Sequence, residues 1–274
     1  MKAAALLFCV SALAAPAAVA SFRAAVTIEG QAVQGGLVRG QMPPGVTSVM
    51  LDDRPVTLAP DGRFILGFDR DQGRRAMLHL RFADGGAAEQ VIAVAPRSWP
   101  IEHVNVARRP AAVPDEIYRR RRAGELERIA SARAIRSAAT GWSQRFIWPA
   151  SGRISGRFGS QRVYRGEPAA YHSGVDVAAG AGAPVVAPAD GLVVLAGPPM
   201  FSLEGNLVIL DHGQGLNSAF LHLSRVDVAA GQRVRQGERI GAVGATGRAT
   251  GPHLHWSMMW NGARLDPQLL APQG

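Results

Sequence analysis

Short apolar runs separated by glycine, proline and aspartate fill the second half of this chain, and they restrict its fold more than any other feature. From Trp142 onward, runs such as residues 184–187, 191–195 and 207–210 are rich in valine, isoleucine and leucine and are bounded by turn formers. Residues 148–266 show no convincing helical periodicity. The pattern therefore predicts an antiparallel, all-β domain over residues 142–274, with loops arranged around a cleft.

Residues 21–96 have a similar texture but carry no evident chemistry. Apolar stretches at residues 49–51, 64–66 and 77–82 alternate with turns that contain Gly, Pro and Asp, which predicts a β-sandwich-like module. His79 stands alone in an apolar strand, and we expect it to be a packed or surface histidine. A packing or targeting role is expected for this module.

Residues 97–141 differ from both flanking parts and predict a basic, partly helical linker. Pro114 followed by Asp115 and Glu116 is typical of a helix start. Four arginines then occupy positions 119–122. Two interpretations stay open, a solvated helix that bridges two domains and an anion-binding tether to wall polymer or membrane. His103, also in this stretch, is expected to be structural.

The first twenty residues resemble a secretory signal. Lys2 supplies a positive start, an apolar run follows, and Ala18-Val19-Ala20 provides a small-x-small cleavage site. The alternatives are an uncleaved membrane anchor and a lipid-modified Cys9, the one cysteine of the chain. Cleavage after Ala20 leaves no cysteine for a disulfide, and no later stretch is apolar enough to span a bilayer. We therefore expect an exported protein, periplasmic, associated with the cell envelope or secreted.

Composition sets the broad class of the chain. Of its 274 residues 47% are hydrophobic and 19% charged, which is typical of a globular protein rather than a disordered one. The formal net charge is +9, and Lys2 is the only lysine. This charge favours anionic surroundings but does not choose among nucleic acid, lipid and cell-wall polymer.

Five of the seven histidines lie between residues 172 and 255, in a pattern typical of metal ligands. On a pleated strand, His172 and Asp176 are four residues apart and point to one face, as do His253 and His255. The two segments thus offer three imidazoles and one carboxylate, and zinc takes nitrogen and oxygen ligands tetrahedrally, with one position kept for water in a catalytic site. An iron site with two histidines and a carboxylate is the chemical alternative. It leaves the additional histidines, including His222 in an apolar strand, without a role, whereas hydrolysis needs groups that move protons.

The stretch from residue 146 to residue 267 resembles the lysostaphin-type (LytM-like) zinc endopeptidases, which hydrolyse the peptides of peptidoglycan. The matching segments occur in the order typical of that family and cover most of the C-terminal half of the chain. They are residues 152–159, 172–178, 182–191, 205–213, 221–224, 241–247 and 250–255.

The resemblance implies a role for each residue of the site. His172, Asp176 and His255 would hold one zinc ion per chain, His253 would be the base for the attacking water, and His222 would stabilise the oxyanion or pass a proton. The ligand histidines should be neutral and the aspartate ionised, so metal binding should weaken towards acid pH.

Three further positions near the matching segments have roles that differ from those of the proposed ligands and proton-transfer groups. His212 also matches the family, but we expect it to stabilise a turn. Arg162 is expected either to assist substrate or oxyanion binding or to be a surface arginine. Ser257 stands where many relatives carry an acidic residue, which would affect ligand orientation or metal affinity rather than the ligand set itself.

The sequence thus predicts a mainly β protein: a β-sandwich-like N-terminal domain, a helical linker and a C-terminal antiparallel β metallopeptidase domain. We expect an active zinc endopeptidase with peptidoglycan as its partner and no role in nucleic-acid binding. The alternative is a non-catalytic, wall-binding regulator of other hydrolases; such relatives typically lose metal ligands, which this chain retains. An iron oxygenase is the alternative outside hydrolases.

Overall fold

The computed structural model describes residues 25–105 and 115–271. The predicted signal over residues 1–20, its cleavage site after Ala20, and Cys9 lie outside these described residues. Within the two described ranges, no helix combines the length and the hydropathy that a membrane crossing requires.

Seven strands form two antiparallel sheets in the N-terminal part. They are β1 (Thr27–Glu29), β2 (Leu37–Gln41), β3 (Val46–Leu51), β4 (Arg54–Pro55), β5 (Arg63–Gly67), β6 (Arg75–Phe82) and β7 (Ala87–Ala93). One sheet has the order β1-β2-β5 and the other the order β4-β3-β6-β7. Alternate residues of β6 are buried, because a strand with one covered face sends every second side chain into the core. The sandwich-like arrangement and the limits of this module stay predictions.

Thirteen strands build the C-terminal part. They are β9 (Arg153–Gly156), β10 (Gln161–Tyr164), β11 (Glu167–Pro168), β12 (Val175–Ala178), β13 (Pro184–Val186), β14 (Gly191–Leu195), β15 (Asn206–Asp211), β16 (Leu216–Leu223), β17 (Arg225–Val226), β18 (Arg233–Val234), β19 (Arg239–Ala242), β20 (Leu254–Trp260) and β21 (Ala263–Leu265). An eight-stranded sheet has the order β18-β14-β15-β16-β20-β12-β9, with β21 also paired to β20, and β13-β19-β17 form a second sheet. The predicted mainly β fold, with an antiparallel β domain in the C-terminal part, is therefore confirmed.

The predicted linker region contains a strand that the sequence analysis missed. Strand β8 (Ile101–Val104) pairs in parallel with β10, from Ile101 opposite Gln161 to Val104 opposite Tyr164. This gives a small sheet of order β11-β10-β8. The partners are 60 residues apart in sequence, so no local pattern could have announced the pairing.

Helix α1 (Glu116–Ala134) begins where Pro114 and the acidic pair predicted it, and the Asp115 carboxylate accepts the main-chain N–H of Tyr118 at 2.7 Å. The helix packs on β14 and β15, and Ala132 is buried against Val194 and Ile209. One side of α1 therefore contacts the large sheet at Ala132, and both interpretations of this segment, the solvated bridge and the anion-binding tether, stay predictions. A 3₁₀ turn (Gly141–Ser143) and helix α2 (Pro267–Leu270) are the other described helical elements.

Arg70 joins the N-terminal part to the segments around Trp99, Gly159 and Tyr171. Its guanidinium lies 5.3 Å from the Trp99 ring and 4.6 Å from the Tyr171 ring, and its Nε donates to the carbonyl of Gly159 at 3.2 Å. The N–H of Gly159 in turn donates to the carbonyl of His172 at 2.8 Å. The N-terminal part therefore supports the backbone next to the first predicted metal ligand.

Candidate functional site

Strand pairing brings two of the predicted metal ligands face to face. Asp176 on β12 lies directly opposite His255 on β20. Leu254 and Trp256, the neighbours of His255, are fully buried on the other face of the sheet. Alternation along β20 therefore directs the His255 ring to the same face as the Asp176 carboxylate, as predicted.

His172 reaches the same point by a different route from the one predicted. Strand β12 begins only at Val175, so the expected strand alternation from His172 to Asp176 is wrong. Instead, the His172 main-chain N–H donates to the carbonyl of Ser160 at 2.8 Å. Its ring Nδ1 donates to the carbonyl of Arg157 at 3.0 Å, which leaves the Nε2 lone pair free for a cation.

The three side chains offer one compact set of ligand atoms. His172 Nε2 lies 3.1 Å from Asp176 Oδ1 and 3.1 Å from His255 Nδ1, and His255 Nδ1 lies 2.8 Å from Asp176 Oδ1. Tetrahedral zinc with bonds of about 2.0–2.2 Å separates its ligand atoms by about 3.3–3.6 Å. Two nitrogens and one oxygen at nearly this spacing fit a zinc ion, and the structure thus brings His172, Asp176 and His255 together.

Two glycines leave room for these ligands. A Cβ at Gly156 would collide with Asp176 Oδ2 and lie 3.0 Å from His172 Cε1. A Cβ at Gly174 would lie 2.8 Å from His255 Nε2 and collide with the carbonyl of Trp256. Only glycine permits this close approach, so the small residues are part of the geometry of the site.

The charges of the ligand set follow from burial and from mutual contacts. Burial disfavours the ionised form of Asp176, but its contacts with the rings of His172 and His255 outweigh this effect and hold its pKa below the usual range. Burial also lowers the pKa of His255, while the hydrogen bond to Asp176 opposes this effect. For His172 burial is the largest single effect and favours the neutral ring, but the hydrogen bond and the charge of Asp176, together with the carbonyl of Arg157, outweigh it and raise the pKa. An ionised carboxylate is thus available to a cation.

His222 and His253 stand beside the ligand set with their rings oriented by main-chain carbonyls. His222 Nδ1 lies 2.8 Å from the carbonyl of Thr246, and His253 Nδ1 lies 2.8 Å from the carbonyl of Gly251. Because a carbonyl only accepts, both Nδ1 atoms carry hydrogen and a neutral ring keeps its lone pair at Nε2. The ring centroids lie 4.8 Å apart, and His253 Nε2 lies 3.9 Å from Asp176 Oδ1.

The backbone at His222 is held in an unusual conformation. His222 has φ of 64°, the left-handed region that a residue with a Cβ rarely adopts. Its N–H donates to the carbonyl of Glu204 at 2.8 Å, where the β15–β16 register shifts between Asn206 and Val208. Burial lowers the pKa of His222, so the ring is neutral near pH 7. The surrounding structure therefore fixes a proton acceptor at this point.

An open groove of about 1020 Å³ surrounds the two histidines and the ligand set. Strand β8 and strand β10 contribute one side of it, where the Arg162 guanidinium pairs with the Glu102 carboxylate at 2.7 Å. Both side chains are largely exposed. Arg162 therefore lies in the groove, and its role there stays a prediction.

The remaining sequence candidates lie elsewhere. His212 is fully buried: Nδ1 donates to the carbonyl of Asp190 at 2.8 Å and Nε2 accepts from the Ser218 hydroxyl at 2.6 Å. His79 is exposed and pairs with Glu89, and His103 is exposed on β8. Ser257, two residues beyond His255, is buried and lines a cavity beside α1 together with His255.

The residues of α1 that support the site were not predicted from the sequence. The Arg122 guanidinium holds the Glu204 carboxylate, and Glu204 is the residue whose carbonyl binds His222. The clustered arginines of α1 were visible in the sequence. Their partner is 82 residues away, and no spacing rule connects the two.

Comparison with known proteins agrees with this geometry. The model of peptidase family M23 matches residues 170–267. The chain is 39% identical over 120 residues to the peptidoglycan DD-endopeptidase ShyA of Vibrio cholerae, over 43% of this chain and 27% of the relative. It is 42% identical over 123 residues to the DD-carboxypeptidase/endopeptidase Mpg of Neisseria meningitidis, again over 43% of this chain and 27% of the relative. The matched segments thus span about a quarter of these relatives.

One solved structure matches nearly the whole chain. A crystal structure described as a candidate peptidase M23 from Pseudomonas aeruginosa is 31% identical, with a TM-score of 0.68. The match covers 88% of this chain and 95% of that one. Because the match extends over both the N-terminal part and the part that carries the histidines, the chain belongs to peptidase family M23.

Proposed function

We propose that this protein is a zinc-dependent endopeptidase that hydrolyses the peptide part of bacterial peptidoglycan. His172, Asp176 and His255 would hold one zinc ion, because they offer two imidazole nitrogens and one carboxylate oxygen within 3.1 Å of one another. Bound there, zinc supplies a water of lowered pKa and polarises the scissile carbonyl.

The observation that carries the proposal is the pair of rings beside the ligands, both with Nδ1 bound to a carbonyl. His253 presents Nε2 on the side of Asp176 and is placed to take the proton of the attacking water. His222 faces it across 4.8 Å and, once protonated, donates to the oxyanion or to the leaving amine. A site that only binds peptidoglycan has no need of two oriented proton acceptors.

The substrate proposal rests on the groove and on the relatives. An open groove of about 1020 Å³ suits an extended peptide, which lies along it and brings one carbonyl to the ligand set. Two relatives are named for DD-endopeptidase or carboxypeptidase/endopeptidase activity, so a bond between two D-residues is the first to test. A net charge of +9 favours an anionic wall, and the site would act outside the cytoplasm after export.

Digestion of purified peptidoglycan by the zinc-loaded protein tests this function. We expect new free amines and a defined set of fragments by mass spectrometry, which identifies the bond. His253→Ala should keep the zinc and lose activity by about 100-fold or more. His103→Ala, at an exposed position on β8, is the matched control and should behave like the wild type.

The alternative of a non-catalytic regulator gives a different result. Such a protein binds peptidoglycan without releasing amines, and His253→Ala leaves its binding unchanged. That outcome, with zinc present in the protein, would overturn the endopeptidase proposal.

A further inference from the structure

A second cavity, of about 250 Å³, lies between α1 and the large sheet. It adjoins the groove, because four residues line both: Ser173, Glu204, Leu221 and His255. His255 is one of the three residues that converge on the metal position. A ligand in this cavity would therefore lie directly next to the reacting part of a bound peptide.

The lining of this cavity is strongly positive. It contains the guanidinium groups of Arg122, Arg133 and Arg264 but a single carboxylate, that of Glu204. Glu204 is fully engaged by Arg122, through two hydrogen bonds of 2.7 Å. Asp69 accepts the main-chain N–H of Arg264 but does not line the cavity. Two guanidinium groups, on α1 and on β21, thus remain without a carboxylate partner within the cavity.

Arg133 is the more unusual of these two residues. Its Nη1 donates to the sulfur of Met259 at 3.1 Å, a weak acceptor. Its Nε is buried and has no hydrogen-bond partner among residues 25–105 and 115–271. Burial lowers the pKa of Arg133 to about 10; the nearby charge of Arg264 acts in the same direction, and the smaller effect of the Glu204 carboxylate, which forms no hydrogen bond with Arg133, opposes it. The group stays charged at neutral pH, and an unmet charged donor costs free energy unless an anion fills the site.

Arg264 shares the cavity but is more accessible. Its side chain is exposed and lies 5.5 Å from the ring of Tyr171, which also lines the metal groove. A planar guanidinium binds a carboxylate through two parallel hydrogen bonds, and two such groups around one cavity define a site for that anion.

We infer that Arg133 and Arg264 bind a carboxylate of the peptide substrate in the cavity beside His255. This inference rests on the proposed function for the identity of the ligand, a peptide. The carboxylate belongs either to the C-terminus of the peptide or to one of its side chains. Helix α1, which the sequence presents as a linker, is then part of the substrate site.

Peptide binding without turnover tests the inference separately from the endopeptidase proposal. The host is the full chain carrying His253→Ala, which removes the proposed base, and the method is calorimetry. The probes are a synthetic stem pentapeptide that ends in D-Ala-D-Ala, its C-terminal amide, and the peptide with its side-chain carboxylates amidated. We expect one of the two amidations to weaken binding about tenfold, the effect of one charge-assisted hydrogen bond. The sensitive peptide identifies the carboxylate.

Variants of the two arginines then test whether these residues cause the difference in affinity between the free-acid and the amidated peptide. Arg133→Met should weaken binding of the free acid about tenfold and leave binding of the sensitive amide unchanged. Arg264→Met, at an exposed side chain that poses little risk to folding, should act in the same direction. Arg120→Met is the control on α1, since Arg120 is exposed and pairs with Glu116 outside the cavity.

Two results would overturn the inference. One is equal binding of all three peptides, including no binding of any. The other is an equal loss of affinity for the free acid and for the amide in the arginine variants. Neither result depends on hydrolysis. A protein that discriminates the peptides but never cleaves peptidoglycan would keep the carboxylate site and lose the endopeptidase function. A protein that cleaves peptidoglycan but binds the acid and amide peptides equally would refute the carboxylate site and leave the endopeptidase function standing.

Discussion

Arg122 of α1 binds the carboxylate of Glu204 through two parallel hydrogen bonds of 2.7 Å. The main-chain carbonyl of the same Glu204 accepts the main-chain N–H of His222 at 2.8 Å. The helix is thus connected by two consecutive contacts to the ring that faces His253. The side chains of Arg122 and Glu204 are about five-sixths buried, so the pair is weakly screened by solvent.

This relationship predicts that Arg122 affects catalysis through Glu204 and the His222 backbone. Arg122→Met should lower the free energy of unfolding by about 2 kcal/mol, the usual worth of a hydrogen-bonded charge. It should also reduce kcat, because the loop that holds the His222 backbone loses its anchor. Zinc affinity should be unchanged, since none of the three ligands is moved.

Urea unfolding, zinc titration and peptidoglycan turnover measure these three effects. Arg120→Met, whose side chain is 80% exposed, is the control for removing a charge from α1. Loss of stability with an unaltered kcat would show that the ion pair supports only the helix.

Gly156 offers a sharper test of the ligand geometry. A Cβ there would collide with Asp176 Oδ2, so Gly156→Ala should displace the carboxylate and weaken zinc binding by about 10–100-fold, as for other residues that support metal ligands. Competition with a colorimetric chelator measures the affinity. Gly180→Ala is the matched control, because a Cβ at Gly180 meets no atom within 4 Å. Equal affinities in the two variants would mean that Asp176 is not a ligand.

Zinc itself should stabilise the fold, because the ligands come from separate segments that are brought together only in the folded chain. At a hundredfold excess over its Kd, zinc should raise the free energy of unfolding by about 2.7 kcal/mol. Chelation should remove this increment, and His172→Ala should abolish it. His103→Ala should retain the full increment. A stabilisation that survives His172→Ala would place the metal elsewhere.

The sequence predicted the convergence of His172, Asp176 and His255 better than the path of the chain that brings them together. His255 was predictable because alternation along β20 is strict: Leu254 and Trp256 are fully buried, so His255 must face the other way. His172 converges for another reason, since irregular backbone pinned to Ser160 replaces the expected strand. The resemblance to a family compensated for this, because it supplied the residue without requiring the correct secondary structure.

Helix α1 shows why its contacts with the rest of the fold could not be predicted from the sequence. Its apolar side chains remain largely exposed, and Leu126 is 51% exposed. The contacts that fix it are polar: buried Glu125 accepts from the hydroxyl and the N–H of Ser202, 77 residues away. Hydrophobic periodicity reports burial of apolar faces and carries no information about distant polar partners. The same holds for Arg70 and its two aromatic neighbours.

His212 provides the last prediction, which concerns pH and not catalysis. The ring is fully buried, and burial lowers its pKa to about 4 from an ordinary value of 6.5. The unfolded chain therefore takes up a proton at this residue at a higher pH than the folded chain does. The stabilisation is complete above pH 6.5 and is lost as the pH falls towards 4, with a total of about 3 kcal/mol.

Urea unfolding of chelator-treated protein between pH 7 and pH 4 measures this loss, and His212→Gln isolates it from the other titrating groups. The variant should be less stable at pH 7, because Ser218 and Asp190 lose their partner. Its stability should nevertheless fall less steeply with acid than that of the wild type. Parallel curves for wild type and His212→Gln would mean that the buried ring accepts a proton in the folded chain, through a rearrangement of its contacts with Ser218 and Asp190.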